Sequence, residues 1–140
     1  MTFLFTYLHF LSFVVLAGLL AGEFFVLREP LDKHSLRLLK KIDLAYGLAA
    51  GLVVATGIGR VFLEKGWSYY LSTPVFWVKI AIFIGMAIVS IYPTIYFIRT
   101  KTDSDPSLSK YIILRKAMLL QLSAIPVILF CAIWIARGFY

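Results

Sequence analysis

The sequence predicts an all-α integral membrane protein, a single transmembrane domain of four antiparallel helices arranged up-down-up-down. Composition is the first observation. Of the 140 residues 61% are hydrophobic and 15% are charged, and the mean hydropathy is +0.91, far from the averages of soluble domains. The second observation is that apolar runs long enough to cross a bilayer occupy about 3–27, 42–62, 75–98 and 112–136. Because the connections between these runs are short, any site must lie within the bilayer or at its surface.

The first apolar run, 3–27, contains two ionisable residues, His9 and Glu23. A helix of this length reaches roughly 37 Å at ~1.5 Å per residue, enough to cross a hydrocarbon core of ~30 Å with some tilt. Exposing either group to lipid costs at least ~2.5 kcal/mol, so each should face protein, water or a bound ligand. Met1 and Thr2 provide no positively charged n-region, so we expect this run to be a permanent span rather than a signal peptide.

The second span is preceded by a basic amphipathic connector. Pro30 and its charged neighbours should end the first helix, and 31–41 has the composition of a short helix lying among lipid headgroups. Within 42–62 a face of helical spacing, expected to pack inward, comprises Asp43, Gly47, Ala50, Val54 and Gly57. Gly47 and Gly51 form a small-xxx-small pattern that lets helix backbones approach closely, so a leucine at position 51 should destabilise the bundle.

The third span begins with a capping signal, because Ser72 and Thr73 precede Pro74. An aromatic belt at a membrane surface is predicted from Trp67, Tyr69, Tyr70, Phe76 and Trp77. Lys79 lies only a few positions inside the span and leaves two alternatives open: its side chain extends to the surface, or it faces inward with a functional role. Pro93 should kink this helix.

The fourth span follows a polar loop, 99–110, that is typical of an exposed turn. Gln121 is available for a hydrogen bond between helices, and Pro126 predicts a second kink. The inward face of this span should comprise Ala117, Gln121, Ala124, Ile128, Cys131 and Ile135.

Basic residues near the span ends predict the orientation. The connections on one side carry Arg28, Lys33, Arg37, Lys40, Lys41, Arg99, Lys101, Lys110, Arg115 and Lys116. The other side has Arg60, Lys65 and Arg137, with Lys79 just inside a span. We therefore expect a multi-pass protein of the inner cell membrane, with cytoplasmic basic loops and both termini non-cytoplasmic.

This orientation predicts two polar layers. The outer layer contains His9, Arg60, Lys79, Cys131 and Trp134, and the inner layer contains Glu23, Asp43, Arg28, Lys41 and Gln121, where acids and bases can pair. His9 and Glu23 are separated by about four helical turns and lie on nearly one face of the first helix. His9 is the residue most suited to carry chemistry, although it can equally be a histidine that is hydrogen-bonded to a neighbouring helix.

Several classes of site are excluded by the sequence. There is no Gly-rich phosphate loop, no His-rich or Cys-rich metal cluster and no serine nucleophile elbow. The single cysteine, Cys131, permits no disulfide or CxxC site within one chain, and His34 belongs to the solvated connector. The net charge of +7 comes chiefly from the basic loops. It therefore indicates orientation and contact with lipid rather than nucleic-acid binding.

The residues resemble those of an uncharacterised family of prokaryotic four-helix membrane proteins. The resemblance covers nearly the whole chain and rests on Tyr7-Leu8-His9-Phe10, Ala17-Gly18, Phe76-Trp77-x-Lys79 and an apolar last span with Pro126. More distantly, the layout is similar to HemJ-type membrane protoporphyrinogen oxidases and to copper-resistance D-type membrane proteins, in which a first-helix histidine lies in a similar place.

The oxidase resemblance implies haem b or a porphyrin held among the four helices. It makes His9 the axial metal ligand and puts Lys79 or Arg60 near a propionate. The sequence departs from the oxidase pattern in the third span, where Ser90 or its neighbour stands in place of a further histidine. A five-coordinate iron, or a sixth ligand from Lys79, Met86 or a partner chain, is then expected.

Three functions from different classes follow. The first is a redox protein that binds haem or porphyrin. The second is a structural or accessory subunit of a membrane complex without a cofactor, alone or as a homo-oligomer or beside a membrane partner subunit. The third is a small transporter component, although the apolar interval between the polar layers argues against a continuous path in one protomer.

Overall fold

The computed structural model describes residues 1–27, 33–99 and 108–138, without the side chains of 108–110. The helices are α1 (Thr2–Val26), α2 (Lys33–Arg60), a π-helical segment (Val61–Lys65), α3 (Trp67–Ser72), α4 (Pro74–Arg99) and α5 (Leu108–Arg137). No strand occurs in the described ranges. Four helices are long and apolar enough to cross a membrane: α1, α2 with the π-helical segment, α4 and α5. The predicted all-α membrane bundle is thereby confirmed.

The four long helices form a ring in which α1 contacts α2 and α5, and α4 completes the ring between α2 and α5. Partners across each contact show that neighbours run antiparallel. His9 of α1 meets Val53 near the C-terminal end of α2, whereas the end of α1, at Leu27, meets Tyr111 near the start of α5. We call the end with both chain termini and α3 the terminal end, and the opposite end the basic-loop end.

Apolar side chains fill the ring in three clusters. The central cluster joins all four long helices and comprises Phe13, Leu16, Leu20, Tyr46, Ala49, Val53, Met86 and Ile128. A second cluster closes the basic-loop end and comprises Leu27, Leu36, Leu39, Phe97, Leu114 and Met118. At the terminal end α3 packs through Tyr70 against Val61 and Ile135. The central cluster therefore separates the polar groups of the two ends.

The boundaries of the second helix differ from the prediction. α2 begins at Lys33 and runs without a break into the span, because the connector and the span share one line of buried residues that includes Leu36, Leu39 and Asp43. A separate helix lying on the headgroups is therefore wrong. The predicted end of α1 at Arg28-Glu29-Pro30 and the predicted turn at 103–106 lie outside the described residues.

The inward face of α2 is rotated by about one position from the predicted one. Asp43 is buried as expected, but Gly47, Gly51 and Val54 are exposed. A Cβ atom at Gly51 would meet nothing within 4 Å. The small-xxx-small pattern thus packs against none of the described residues, and the predicted destabilisation by a leucine at position 51 is wrong for the described bundle.

Predictions for the remaining spans agree better with the structure. On α5 the residues Gln121, Ile128, Cys131 and Ile135 are buried as expected. α4 continues through Pro93, which is itself buried, and α5 continues through Pro126; the kinks expected at the two prolines stay predictions.

Candidate functional site

His9 is buried in the contact between α1 and α2, with 8% of its surface exposed. Its Nδ1 lies 3.1 Å from the carbonyl oxygen of Val53 and 3.1 Å from Oγ1 of Thr56. The Thr56 hydroxyl donates its own hydrogen to the carbonyl of Leu52 at 2.6 Å. Since a carbonyl oxygen only accepts, Nδ1 must carry the hydrogen and donate it to α2. In a neutral ring Nε2 is then the nitrogen with a free lone pair.

The imidazole fits against α2 because position 57 has no side chain. A Cβ at Gly57 would lie 3.1 Å from Cε1 and 3.5 Å from Nδ1 of His9. Gly59, one turn from Thr56, admits the ring of Phe5 in the same way, since a Cβ there would lie 2.6 Å from Cδ1. These two glycines set how closely the terminal halves of α1 and α2 approach.

His9 lines a cavity of about 360 Å³ at the terminal end. Its walls come from α1, α2, the π-helical segment, α3, α4 and α5, and most of them are apolar. The apolar lining includes Phe10, Val53, Ile58, Val61, Phe76, Ile80, Phe83 and Ile135. Trp67 and Trp77 complete the wall and are each about half exposed. The cavity is partly open and falls within the usual size of small-molecule sites, about 300–1,000 Å³.

Arg60 also lines the cavity, but its charge is already paired. Its Nε and Nη2 lie 2.9 Å and 2.7 Å from Oε2 of Glu64, and the Tyr70 hydroxyl donates to the same oxygen at 3.1 Å. Burial raises the pKa of Tyr70 to about 12, and the negative charge of Glu64 adds to the shift, so the phenol remains a donor at neutral pH. The cluster ties α2, the π-helical segment and α3 together.

Lys79 of α4 faces the same cavity and is partly buried. Of the two predicted alternatives for this residue, the inward orientation is the observed one. No carboxylate pairs with Lys79 in the part of the chain that the structure describes. Lys65 also lines the cavity, but it is exposed and donates to the Tyr69 hydroxyl at 3.2 Å. The ammonium group of Lys79 is therefore available to an anionic group inside the cavity.

A second polar cluster lies at the basic-loop end and draws one or more residues from each long helix. The carboxyl groups of Glu23 of α1 and Asp43 of α2 lie next to each other. Asp43 also accepts a hydrogen bond from Thr94 of α4 at 3.0 Å. One turn further along α2, the Tyr46 hydroxyl donates to Oε1 of Gln121 of α5 at 2.8 Å.

The structure thus brings together the three predicted site residues, His9, Arg60 and Lys79, in one cavity wall. Cys131 is buried outside that wall, and Trp134 also lies apart from it. Met86, proposed as a sixth ligand, packs in the central cluster instead. In the inner layer Glu23 meets another acid rather than a base, and Lys41 is exposed. Arg28 lies outside the described residues.

Two groups of site residues were missed. Glu64 follows Arg60 by four residues, the spacing of an ion pair on one helix face, so a sequence signal for this pair existed. Val53 and Thr56 had no such signal. Their contact with His9 depends on how α1 docks against α2, over a separation of 44 residues for Val53 and 47 for Thr56.

A family model described as "Predicted membrane protein (DUF2214)" matches residues 1–139. No curated protein and no solved structure matches the chain. The predicted membership of a membrane protein family is confirmed, whereas the more distant similarity to HemJ-type oxidases and copper-resistance D-type proteins stays a hypothesis.

Proposed function

Because the chain belongs to the DUF2214 family of predicted membrane proteins and has four helices able to cross a bilayer, we propose that this multi-pass membrane protein binds haem b or a related porphyrin. The ligand would lie in the cavity at the terminal end, and His9 would hold its metal. The observation that carries the proposal is the hydrogen bond from His9 Nδ1 to the carbonyl of Val53.

A histidine that ligates a metal usually donates its other ring N–H to a carbonyl or carboxylate, which fixes the tautomer and the ring orientation. His9 has this arrangement within the bundle. Thr56 Oγ1 holds the same nitrogen and Gly57 provides the space for the ring. The imidazole is therefore preorganised with Nε2 as its free ligand atom.

The other groups of the cavity fit a porphyrin. Its apolar and aromatic walls suit a flat hydrophobic ring, and two of the lining side chains, Trp67 and Trp77, are about half exposed. The ammonium of Lys79 can bind a porphyrin carboxylate as a point charge. Arg60 contributes less than the sequence suggested, because Glu64 already neutralises it.

Bound haem would supply one-electron chemistry at its iron. The residues of this chain would bind the iron through His9, hold the carboxylates through Lys79 and limit the access of water through the aromatic wall. No second histidine lines the cavity among the described residues. Among the described lining residues, His9 would therefore hold the iron, and Lys79 would hold the porphyrin carboxylates.

The absorption spectrum tests the proposal. The protein, produced with a haem precursor in the medium and purified in mild detergent, should show a Soret band. His9→Ala should abolish that band while the helical circular dichroism stays unchanged, and Lys79→Ala should weaken haem binding less. His34→Ala is the matched control, since His34 is exposed at the start of α2, and it should leave the band intact.

A wild-type protein without a Soret band under adequate haem supply would refute the proposal. His9 would then be a buried histidine that links α1 to α2, and an accessory subunit without a cofactor would become the better interpretation. A band that survives in His9→Ala but is lost in His34→Ala would show that His34, and not His9, binds the iron.

We also propose that the basic loops face the cytoplasm and that both termini are non-cytoplasmic in the inner membrane, since Lys and Arg concentrate in cytoplasmic loops. Single cysteines at His34 and at Ser68, both exposed and at opposite ends of the bundle, provide a matched pair in a Cys131→Ala background. A membrane-impermeant maleimide should label the Ser68 position in intact cells and the His34 position only after permeabilisation. The reverse pattern would invert the orientation.

A further inference from the structure

The basic-loop end contains an acid pair that the haem proposal does not use. Glu23 has 2% of its surface exposed and Asp43 has 7%, and their carboxyl groups lie next to each other. Ionisable groups inside a membrane are expensive and face either partners or functional sites. Two adjacent buried carboxyl groups therefore require a compensating partner.

The hydrogen bonds at the pair lack a donor. An ionised carboxylate only accepts, so two ionised carboxylates cannot bond to each other. Asp43 receives one donor, the Thr94 hydroxyl. Oε1 of Glu23 is buried and has no hydrogen-bond partner within the described ranges. One added proton would turn the contact of two acceptors into a hydrogen bond between a carboxylic acid and a carboxylate.

Among the described residues, no cation is paired with either carboxyl group. From α2 the titratable neighbour besides Asp43 is Tyr46, whose hydroxyl is directed to Gln121 of α5. Thr94 of α4 and Gln121 are neutral. Arg115 of α5, the nearby described cation, lies over the ring of Phe24, with Cζ 4.5 Å from the ring centre, and donates to the Tyr111 hydroxyl.

Apolar side chains enclose the pair on both sides. Leu27 follows Glu23 by one helical turn, and Leu39 precedes Asp43 by one turn. Both belong to the cluster that closes the basic-loop end. Leu20 and Tyr46 belong to the central cluster on the other side. In such a dry environment a second negative charge is far more costly than in water.

From this geometry we propose that Glu23 and Asp43 form a proton-binding site, in which one proton is shared by the two carboxyl groups and the pair carries a single negative charge. The site is separate from the cavity that His9 lines. His9 precedes Glu23 by 14 positions on α1, which corresponds to about 21 Å along the helix at ~1.5 Å per residue. Its ligand is a proton rather than a metal ion.

Infrared spectroscopy of the whole protein in lipid tests the site directly. At neutral pH the wild type should show the carbonyl band of a protonated carboxylic acid, shifted on exchange into heavy water. Glu23→Gln should remove this band, because the amide donates the missing hydrogen bond to Asp43 and no proton is needed. Asp43→Asn should remove it for the same reason. Glu64→Gln is the matched control, and it should leave the band unchanged because Glu64 is paired with Arg60.

A hydrophobic carbodiimide gives a second measurement, since it reacts with protonated carboxyl groups and can enter the bilayer. Mass spectrometry should find the adduct on Glu23 or Asp43 of the wild type, with at least a tenfold loss of labelling in the amide variants. Absence of both the infrared band and the adduct at neutral pH would overturn the proposal. Loss of the band on addition of sodium ions would identify a metal cation as the ligand instead and would equally overturn it.

Discussion

Replacing Gly59 by alanine should force apart the terminal halves of α1 and α2. A Cβ at this position would lie 2.6 Å from both Cδ1 and Cε1 of the Phe5 ring. Carbon atoms in contact rest at about 3.5–4.0 Å, so the ring must move by roughly 1 Å. Phe5 is only partly buried, and its ring packs in the same α1–α2 contact that contains His9 and Val53.

The size of the effect follows from two opposing contributions. Inserting a methyl group into a packed contact costs about 1–3 kcal/mol, whereas alanine in a helix interior is favoured over glycine by about 1 kcal/mol. Gly51→Ala carries the second contribution alone, because a Cβ there meets nothing within 4 Å. The Gly59→Ala protein should therefore be less stable than the Gly51→Ala protein by about 1–3 kcal/mol.

Unfolding in mixed micelles, followed by circular dichroism, measures this difference. The decisive control is a double-mutant cycle with Phe5→Ala, which removes the ring that a Cβ at Gly59 would touch. In that background Gly59→Ala should behave as Gly51→Ala does.

Equal stability of the Gly59→Ala and Gly51→Ala proteins would refute the close approach of α1 and α2 at this level. So would a Gly59→Ala penalty that persists without the Phe5 ring, because the penalty would then have another origin.

Two further predictions concern the rest of the bundle. The pKa of Tyr70 is raised from 10.0 to about 12, so the contribution of the neutral phenol to stability is complete below pH 10 and is lost as the pH rises toward 12. The stability of the wild type should therefore fall more steeply between pH 10 and 12 than that of Tyr70→Phe. Identical pH profiles would contradict the burial of this phenol. Leu20→Ala, in the central cluster with 0% of its surface exposed, should cost about 2 kcal/mol in the same micelle assay. Leu48→Ala, at a side chain that is 66% exposed, should cost far less. If Leu48→Ala were the more destabilising of the two substitutions, the assignment of Leu20 to the interior and of Leu48 to the outer surface of the bundle would be wrong.

The number and type of the long helices were determined by the sequence itself. A helix that spans a bilayer needs a long apolar run and satisfies its backbone hydrogen bonds internally. Each run therefore identifies its own helix without information from the rest of the chain. The selection of His9, Arg60 and Lys79 had the same local basis, because an ionisable residue stands out in an apolar helix. Their shared cavity followed from the antiparallel order of the helices and the depth of each residue.

Side-chain partners were decided only by the tertiary structure. The inward face of α2 differs from the sequence pattern because small residues fit equally well against lipid and against a helix, so Gly47 and Gly51 carried no information about direction. The acid at position 23 was expected to meet a base but meets Asp43, and His9 bonds to Val53 and Thr56, because the rotation of each helix within the ring sets these contacts. That rotation depends on packing among all four long helices, which no single stretch of sequence encodes.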